Sequence, residues 1–159
     1  MIIQLKKINK DNWQSALKLE ISQDHKSFVA PNLYSIAEAQ FYPDMHVYGI
    51  YNNQVMVGLT MYGTSKYPEN DKIDERCWIW RLMIGQNHRQ KGYGRQALKL
   101  IIEDIKSQGL DVLLLSTEPE NIKAISLYKS LGFLPTGIVE DGEEEYILTF
   151  TKEKTNETL

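Results

Sequence analysis

The sequence predicts a single α/β domain of the α+β kind, with one mixed, mostly antiparallel sheet flanked by helices on both faces. Three observations point there. Residues Trp78-Ile79-Trp80-Arg81-Leu82-Met83-Ile84 are rich in β-formers and lead into a basic, glycine-bearing loop and then an amphipathic helix. Two pairs of strand-like runs are joined by turn-forming dipeptides, Asn52-Asn53 and Asp141-Gly142, which make hairpins and hence antiparallel neighbours. Asp111 to Ser116 is a nearly continuous apolar run, the pattern of a strand covered on both faces.

A chain of 159 residues is one domain by size and long enough to bury a core. The domain is expected over 1–151, with 152–159 a polar, frayed tail. A net charge of −3 argues against nucleic acid as the main partner and toward a cationic one. Cys77 is the single cysteine, which excludes an internal disulfide framework and suits a reducing compartment. Met1 to Lys7 lacks the apolar run of a signal peptide, and no stretch approaches membrane-spanning length, so a cytoplasmic location is expected.

In chain order, Ile2 to Ile8 reads as a strand. Asp11 or Asn12 can cap a helix carrying Trp13, Ala16, Leu17, Glu20 and Ile21. Ser22 to Asn32 is mixed and irregular, and a short helix is expected from near Ser35 to before Pro43. His46 to Tyr51 and Val55 to Met61 form the first hairpin. Thr64 to Glu75 is a polar loop long enough to carry function. The central strand follows, and then a helix whose Ala97, Leu98, Ile101, Ile102 and Ile105 make one buried face, with Gly109 at an αL end. After the Asp111–Ser116 strand, Asn121 can cap a helix closed by Leu131-Gly132-Phe133. Phe133 to Val139 and Glu145 to Phe150 are the closing hairpin.

The loop between central strand and helix has a physical use. A helix start leaves about four backbone N–H groups unpaired and carries roughly half a positive charge. Gly92 and Gly94 admit a ligand close to the backbone, and Arg89, Lys91 and Arg95 add full charges. This composition makes a phosphate or pyrophosphate site. Gly92-Tyr93-Gly94-Arg95-Gln96-Ala97 also spells a dinucleotide fingerprint. That pattern requires its glycines directly after a strand and several further strand–helix units, and neither condition holds.

Arg89-x-x-Gly92-x-Gly94 between a strand and a helix resembles the acetyl-CoA pyrophosphate loop of the GNAT acetyltransferase superfamily. Asn121-x-x-Ala124-x-x-Leu127-Tyr128-x-x-x-Gly132-Phe133 resembles its second signature, at the expected distance downstream. More narrowly, Ile21-Ser22-Gln23 and Met61-Tyr62-Gly63 are similar to bacterial spermine/spermidine acetyltransferases. The resemblance implies a GNAT-like fold over nearly the whole chain and acetyl-CoA as co-substrate, with no metal. It implies cofactor contacts from Arg89, Gln90, Lys91, Gly92, Tyr93, Gly94, Arg95 and Asn121, and from backbone amides of Leu82, Met83 and Ile84.

Moving acetyl from a thioester to an amine needs a neutral amine, a polarised carbonyl and a proton for the departing thiolate. No covalent nucleophile is needed, and Cys77 lacks the His or cationic setting of an activated thiol. Tyr128 can supply the proton, because a phenol with a pKa near 10 stays protonated at neutral pH. It could equally be a core residue on the stripe Ala124, Leu127, Tyr128 and Leu131; the resemblance implies the acid.

For the acceptor, related polyamine enzymes tend to carry a carboxylate where this chain has Trp80, so the sequence departs from them there. Glu20, Asp24, His25 and Glu75 are the candidate substitutes, and Trp80 can pack against the acceptor's cation or alkyl chain. The expected function is acetyl-CoA-dependent N-acetylation of a primary amine, a polyamine such as spermine or spermidine, by direct attack. The rivals are acetylation of another small amine or a peptide N-terminus, and an acetyl-CoA-binding sensor without turnover. The expected partner is thus a small-molecule amine, with no nucleic acid and no membrane; a homodimer is the expected assembly.

Overall fold

The computed structural model describes residues 1–21, 23, 31–64 and 76–150. The expected loop over 64–75 lies, apart from Thr64, outside the described residues, as do Asp24, His25, Glu75 and the tail over 152–159. The chain runs β1 (Ile3–Lys7), α1 (Trp13–Leu17), α2 (Asn32–Glu38), β2 (Met45–Asn52), β3 (Val55–Gly63) and β4 (Cys77–Ile84). A 3₁₀ turn (Gln86–His88) leads to α3 (Tyr93–Ser107), β5 (Val112–Thr117), α4 (Ile122–Ser130), β6 (Leu134–Glu140) and β7 (Glu143–Thr149). The strands form one sheet in the order β1-β2-β3-β4-β5-β7-β6. Every neighbouring pair is antiparallel except β4 and β5.

Helices cover both faces. Leu98, Ile101 and Ile105 of α3 and Tyr128 of α4 pack with Cys77 and Ile79 of β4 and Leu113 and Leu115 of β5. On the other face Ala16 of α1, with Ile36 of α2, packs on Val47, Met61 and Met83. Each fully buried Leu or Ile removes apolar surface worth about 1.5–3 kcal/mol, so these two layers hold the sheet between them.

The second turn falls on its dipeptide, while the first is shifted by one residue, since Asn52 ends β2 opposite Val55 and Asn53-Gln54 make the turn. Asn53 takes φ 55°, and Asp141 and Gly142 take φ 49° and 81°, the left-handed pair of a tight hairpin turn. Two helices end in the same way. The N–H of Leu110 reaches the Ile105 carbonyl beyond Gly109, and the N–H of Phe133 reaches the Tyr128 carbonyl beyond Gly132.

Two helix boundaries differ from expectation. The first helix stops at Leu17, so Glu20 and Ile21 lie beyond it. Asn12 stands at its start without capping it through the side chain; its Oδ1 accepts from the Asn9 N–H and its Nδ2 donates to the Lys7 carbonyl instead. The second helix begins earlier, at Asn32, directly after Pro31. Buried Asn32 donates to the Ala16 carbonyl at 2.8 Å, a tertiary tie between α1 and α2 that periodicity does not reveal.

A bulge in β4 also lay beyond sequence pattern. Met61 pairs with Arg81, but Tyr62 pairs with Ile79, so Trp80 is the extra residue. A bulge shifts the phase of the strand. Cys77 and Ile79 face α3 before it, and Leu82 and Ile84 face α3 after it, while Met83 turns to α1 and α2.

Candidate active site

The parallel pair β4–β5 stays together for only three registered pairs, Cys77 with Leu113, Trp78 with Leu114 and Ile79 with Leu115. Past Ile79 a cavity of about 860 Å³ opens along both strands. One edge of β4 stays occupied there, since the Gly85 N–H donates to the Val57 carbonyl on β3. Strand alternation then directs the Met83 backbone toward β3 as well, where it pairs with Leu59. The same alternation directs the N–H groups of Leu82 and Ile84 to the opposite edge, into the cavity. A strand edge of this kind offers hydrogen bonds to an extended amide-bearing ligand.

At the far end of β4 the chain enters the basic loop. Gln90 and Gly92 both hold left-handed conformations, with φ 59° and 80°. Gly92 is the residue at the start of α3, and a Cβ built on it meets no atom within 4 Å. That open space and the unpaired amides of the helix start form a concave anion cradle. Arg89, Gln90, Gly92, Gly94 and Arg95 line the cavity. Arg95 is steadied by Ser130 on α4 at 2.7 Å. Lys91 is exposed, lies outside the lining and reaches the Asn87 carbonyl at 3.4 Å. The Tyr93 side chain packs with Ile50, Val57 and Ala97, and its hydroxyl accepts from Asn52 Nδ2 at 3.0 Å; its phenol is therefore structural.

Tyr128 also lines the cavity while being only 8% exposed. Burial, with a smaller contribution from the Glu143 carboxylate, pushes its phenol up to about 12. The hydroxyl therefore stays protonated across the neutral range. Glu143, at the start of β7, is bound by the Ser116 hydroxyl at 2.5 Å, and both residues line the cavity. Asn121 lines it too and stands at the start of α4 without capping the helix through its side chain. Its Nδ2 turns to the Thr117 hydroxyl at 3.3 Å.

The opposite wall is built by β4 and α2. Trp80 lines the cavity with its ring edge-on to Tyr42, centroids 5.0 Å apart. Arg81 beside it donates from Nη1 to the Trp80 carbonyl at 2.8 Å and from Nη2 to Glu38 Oε2 at 2.9 Å. Of the expected acceptor residues, Trp80 thus faces the cavity, whereas Glu20 is exposed and outside the lining, offering only its carbonyl to the Gln86 N–H. Asp24 and Glu75 lie outside the described residues. Glu38 and Arg81 escaped sequence reasoning: Glu38 falls without remark inside the short helix expected before Pro43, and Arg81 inside the run of β-formers Trp78–Ile84. Cys77 is 1% exposed with its thiol pushed up to about 12 by burial, so it is inert filler under the sheet.

A sheet parted between two parallel strands, with free amides along one lip, a buried phenol opposite and an anion cradle at one end, defines a protein that transfers an acyl group from an extended phosphorylated carrier. Residues 7–133 match the model of the acetyltransferase (GNAT) family, and the chain belongs to that family. It is an acetyl-CoA-dependent N-acetyltransferase. It is 28% identical over 152 residues to the spermine/spermidine N(1)-acetyltransferase of Bacillus subtilis, covering 93% of this chain and 98% of that one. Its fold matches spermidine N-acetyltransferase from Vibrio cholerae, solved with CoA and spermine, at a TM-score of 0.73 and 16% identity over 92% of this chain and 95% of that one. An acetyltransferase from Thermus thermophilus matches at a TM-score of 0.74 and 17% identity, over 94% and 98% of the two chains.

Proposed function

We propose that this enzyme acetylates a primary amine of a polyamine such as spermine or spermidine by direct attack on acetyl-CoA, with Tyr128 as the proton donor. The observation that carries the chemistry is the juxtaposition of the Leu82 and Ile84 amides with the Tyr128 phenol across one cavity. Acetyl-CoA supplies an activated thioester carbonyl. The Leu82 and Ile84 N–H groups hold the acyl chain and receive charge that develops on the carbonyl oxygen. The neutral amine forms the new C–N bond and the C–S bond breaks. Tyr128 gives its proton to the departing sulfur, the acceptor nitrogen loses one to solvent, and Tyr128 takes one back from solvent. Burial holds the Tyr128 phenol protonated until the sulfur departs.

The Arg89–Arg95 loop, with Arg89 and Arg95 on the cavity and the left-handed Gly92 between them, suits the pyrophosphate. Asn121, tied to Thr117 at the open end of β5 and on the cavity lining, suits a contact with the carrier's amides. Support for a polyamine acceptor comes from the relative in Bacillus subtilis, which matches over nearly its full length. It comes also from Glu38 and Glu143 on the cavity wall and from the acidic net charge. Thiol release from acetyl-CoA, followed across spermine, spermidine, a simple alkylamine and a peptide with a free N-terminus, tests the reading. The largest kcat/KM is expected for the polyamines. A larger value for the peptide, or no thiol release with any amine, would overturn it.

A further inference from the structure

The structure assigns a second, non-reacting ammonium group of the acceptor to Glu38, with Arg81 as the residue that positions it; this rests on the proposed polyamine acceptor and names the part of the site that reads its charge. Three observations meet on one wall of the cavity. The first is a connected chain of contacts. Glu38 Oε2 accepts from Arg81 Nη2 at 2.9 Å, and Arg81 Nη1 donates to the Trp80 carbonyl at 2.8 Å. Trp80 is the bulge residue, two positions before the Leu82 amide at the parted strands. A carboxylate carried by α2 is thereby tied to the stretch of β4 where an acetyl carbonyl would rest.

The second observation is exposure. The Glu38 and Arg81 side chains keep 20% and 21% of their surface, and both line the cavity. One carboxylate oxygen is taken by the guanidinium; Oε1 has no hydrogen-bond partner among the described residues and is left for a ligand.

The third observation is the company. Trp80 and Tyr42 meet edge to face beside the pair, and both line the cavity. Aromatic faces with one carboxylate make a site for an alkylammonium, which needs a counter-charge at the head and apolar contact along the chain. The guanidinium also keeps the carboxylate from rotating away, holding it through Oε2. Trp80, the bulge residue of β4, carries no charge, and α2 supplies the carboxylate from across the bulge.

The test uses the full chain loaded with CoA. Spermidine binding is measured by calorimetry, and steady-state KM for spermidine and for acetyl-CoA is measured in wild type, Glu38→Gln and Glu38→Asp. Glu38→Gln is expected to weaken spermidine binding and raise its KM tenfold or more, to flatten the salt dependence of that KM, and to leave KM for acetyl-CoA within twofold. Glu38→Asp is expected to recover part of the loss. A lower melting temperature with unchanged spermidine KM and salt dependence would make the pair structural and overturn the assignment while leaving the amine acceptor standing. Failure of the wild type to bind or acetylate any amine would overturn both. Should Glu38→Gln not fold, Glu38→Ala is measured in its place, and a wild-type spermidine KM with wild-type salt dependence there overturns the assignment.

Discussion

The Phe133 amide donates to the Tyr128 carbonyl at 3.1 Å, and the two rings lie with centroids 5.9 Å apart. The glycine-terminated end of α4 therefore fixes the phenol that faces the cavity. This depends on Gly132, whose φ of 96° carries the chain from the last turn of α4 into Phe133, and whose added Cβ would come within 3.3 Å of Leu148 Cδ1.

Gly132→Ala is expected to cost about 1–2 kcal/mol for a side chain forced into the left-handed region. In a chain of this size that lowers Tm by roughly 2–8 °C. Because the distortion falls on Tyr128, kcat should drop more than KM for acetyl-CoA rises. A stability loss with normal kcat would separate the helix end from the catalytic phenol.

Tyr128→Phe removes a hydroxyl and little volume. Its kcat should fall by about 10²-fold, the usual size of an acid–base contribution, with acetyl-CoA affinity unchanged. Unaltered kcat in a folded variant would make Tyr128 a packing residue.

The ionisation of Tyr128 carries its own prediction. Burial first and Glu143 second raise its pKa to about 12, both by disfavouring the tyrosinate. Removing the Glu143 charge therefore lowers that pKa. In an ultraviolet titration of tyrosinate, corrected by subtracting Tyr128→Phe, Glu143→Gln should ionise this phenol at lower pH than wild type. An upward shift or none would remove Glu143 from the phenol's electrostatic surroundings.

The cofactor loop can be tested by comparing its two glycines. A Cβ at Gly92 would stand in open space at φ 80°, where the proposed pyrophosphate approaches; one at Gly94 would make ordinary contact with Leu127 at 3.6 Å. Gly92→Val should weaken CoA binding by two orders of magnitude or more, whereas Gly94→Ala should stay within about tenfold. Equal, small effects at both sites would contradict the cradle.

How much of this was legible beforehand follows from where each feature is encoded. The Arg89–Gly94 loop is local and could be read from its glycines and charges, as could the left-handed turns at Asn53, Asp141 and Gly142, whereas the α4 signature was legible only through its resemblance to the family. Asn121 was legible as a helix start, but its side chain turns to Thr117 on another element, and no local rule forecasts that. The bulge at Trp80 depends on how β3 pairs with β4, and a strand's own alternation cannot announce it. Glu38 was invisible for the same reason. It looks like any polar residue ending a short helix until tertiary packing sets Arg81 2.9 Å away.

The central claim is that this acetyltransferase selects a polyamine, and an internal competition tests it most directly. The enzyme is given limiting acetyl-CoA and equal concentrations of spermine, butylamine and a peptide with a free N-terminus, at low and moderate salt. Products are counted by mass spectrometry, so their ratio reports relative kcat/KM. The account predicts acetylspermine as the dominant product, with its excess over acetylated butylamine shrinking as salt screens charge over about 10 Å at 0.1 M. Equal acetylation of spermine and butylamine at both salt concentrations, or acetyl found chiefly on the peptide, would contradict it.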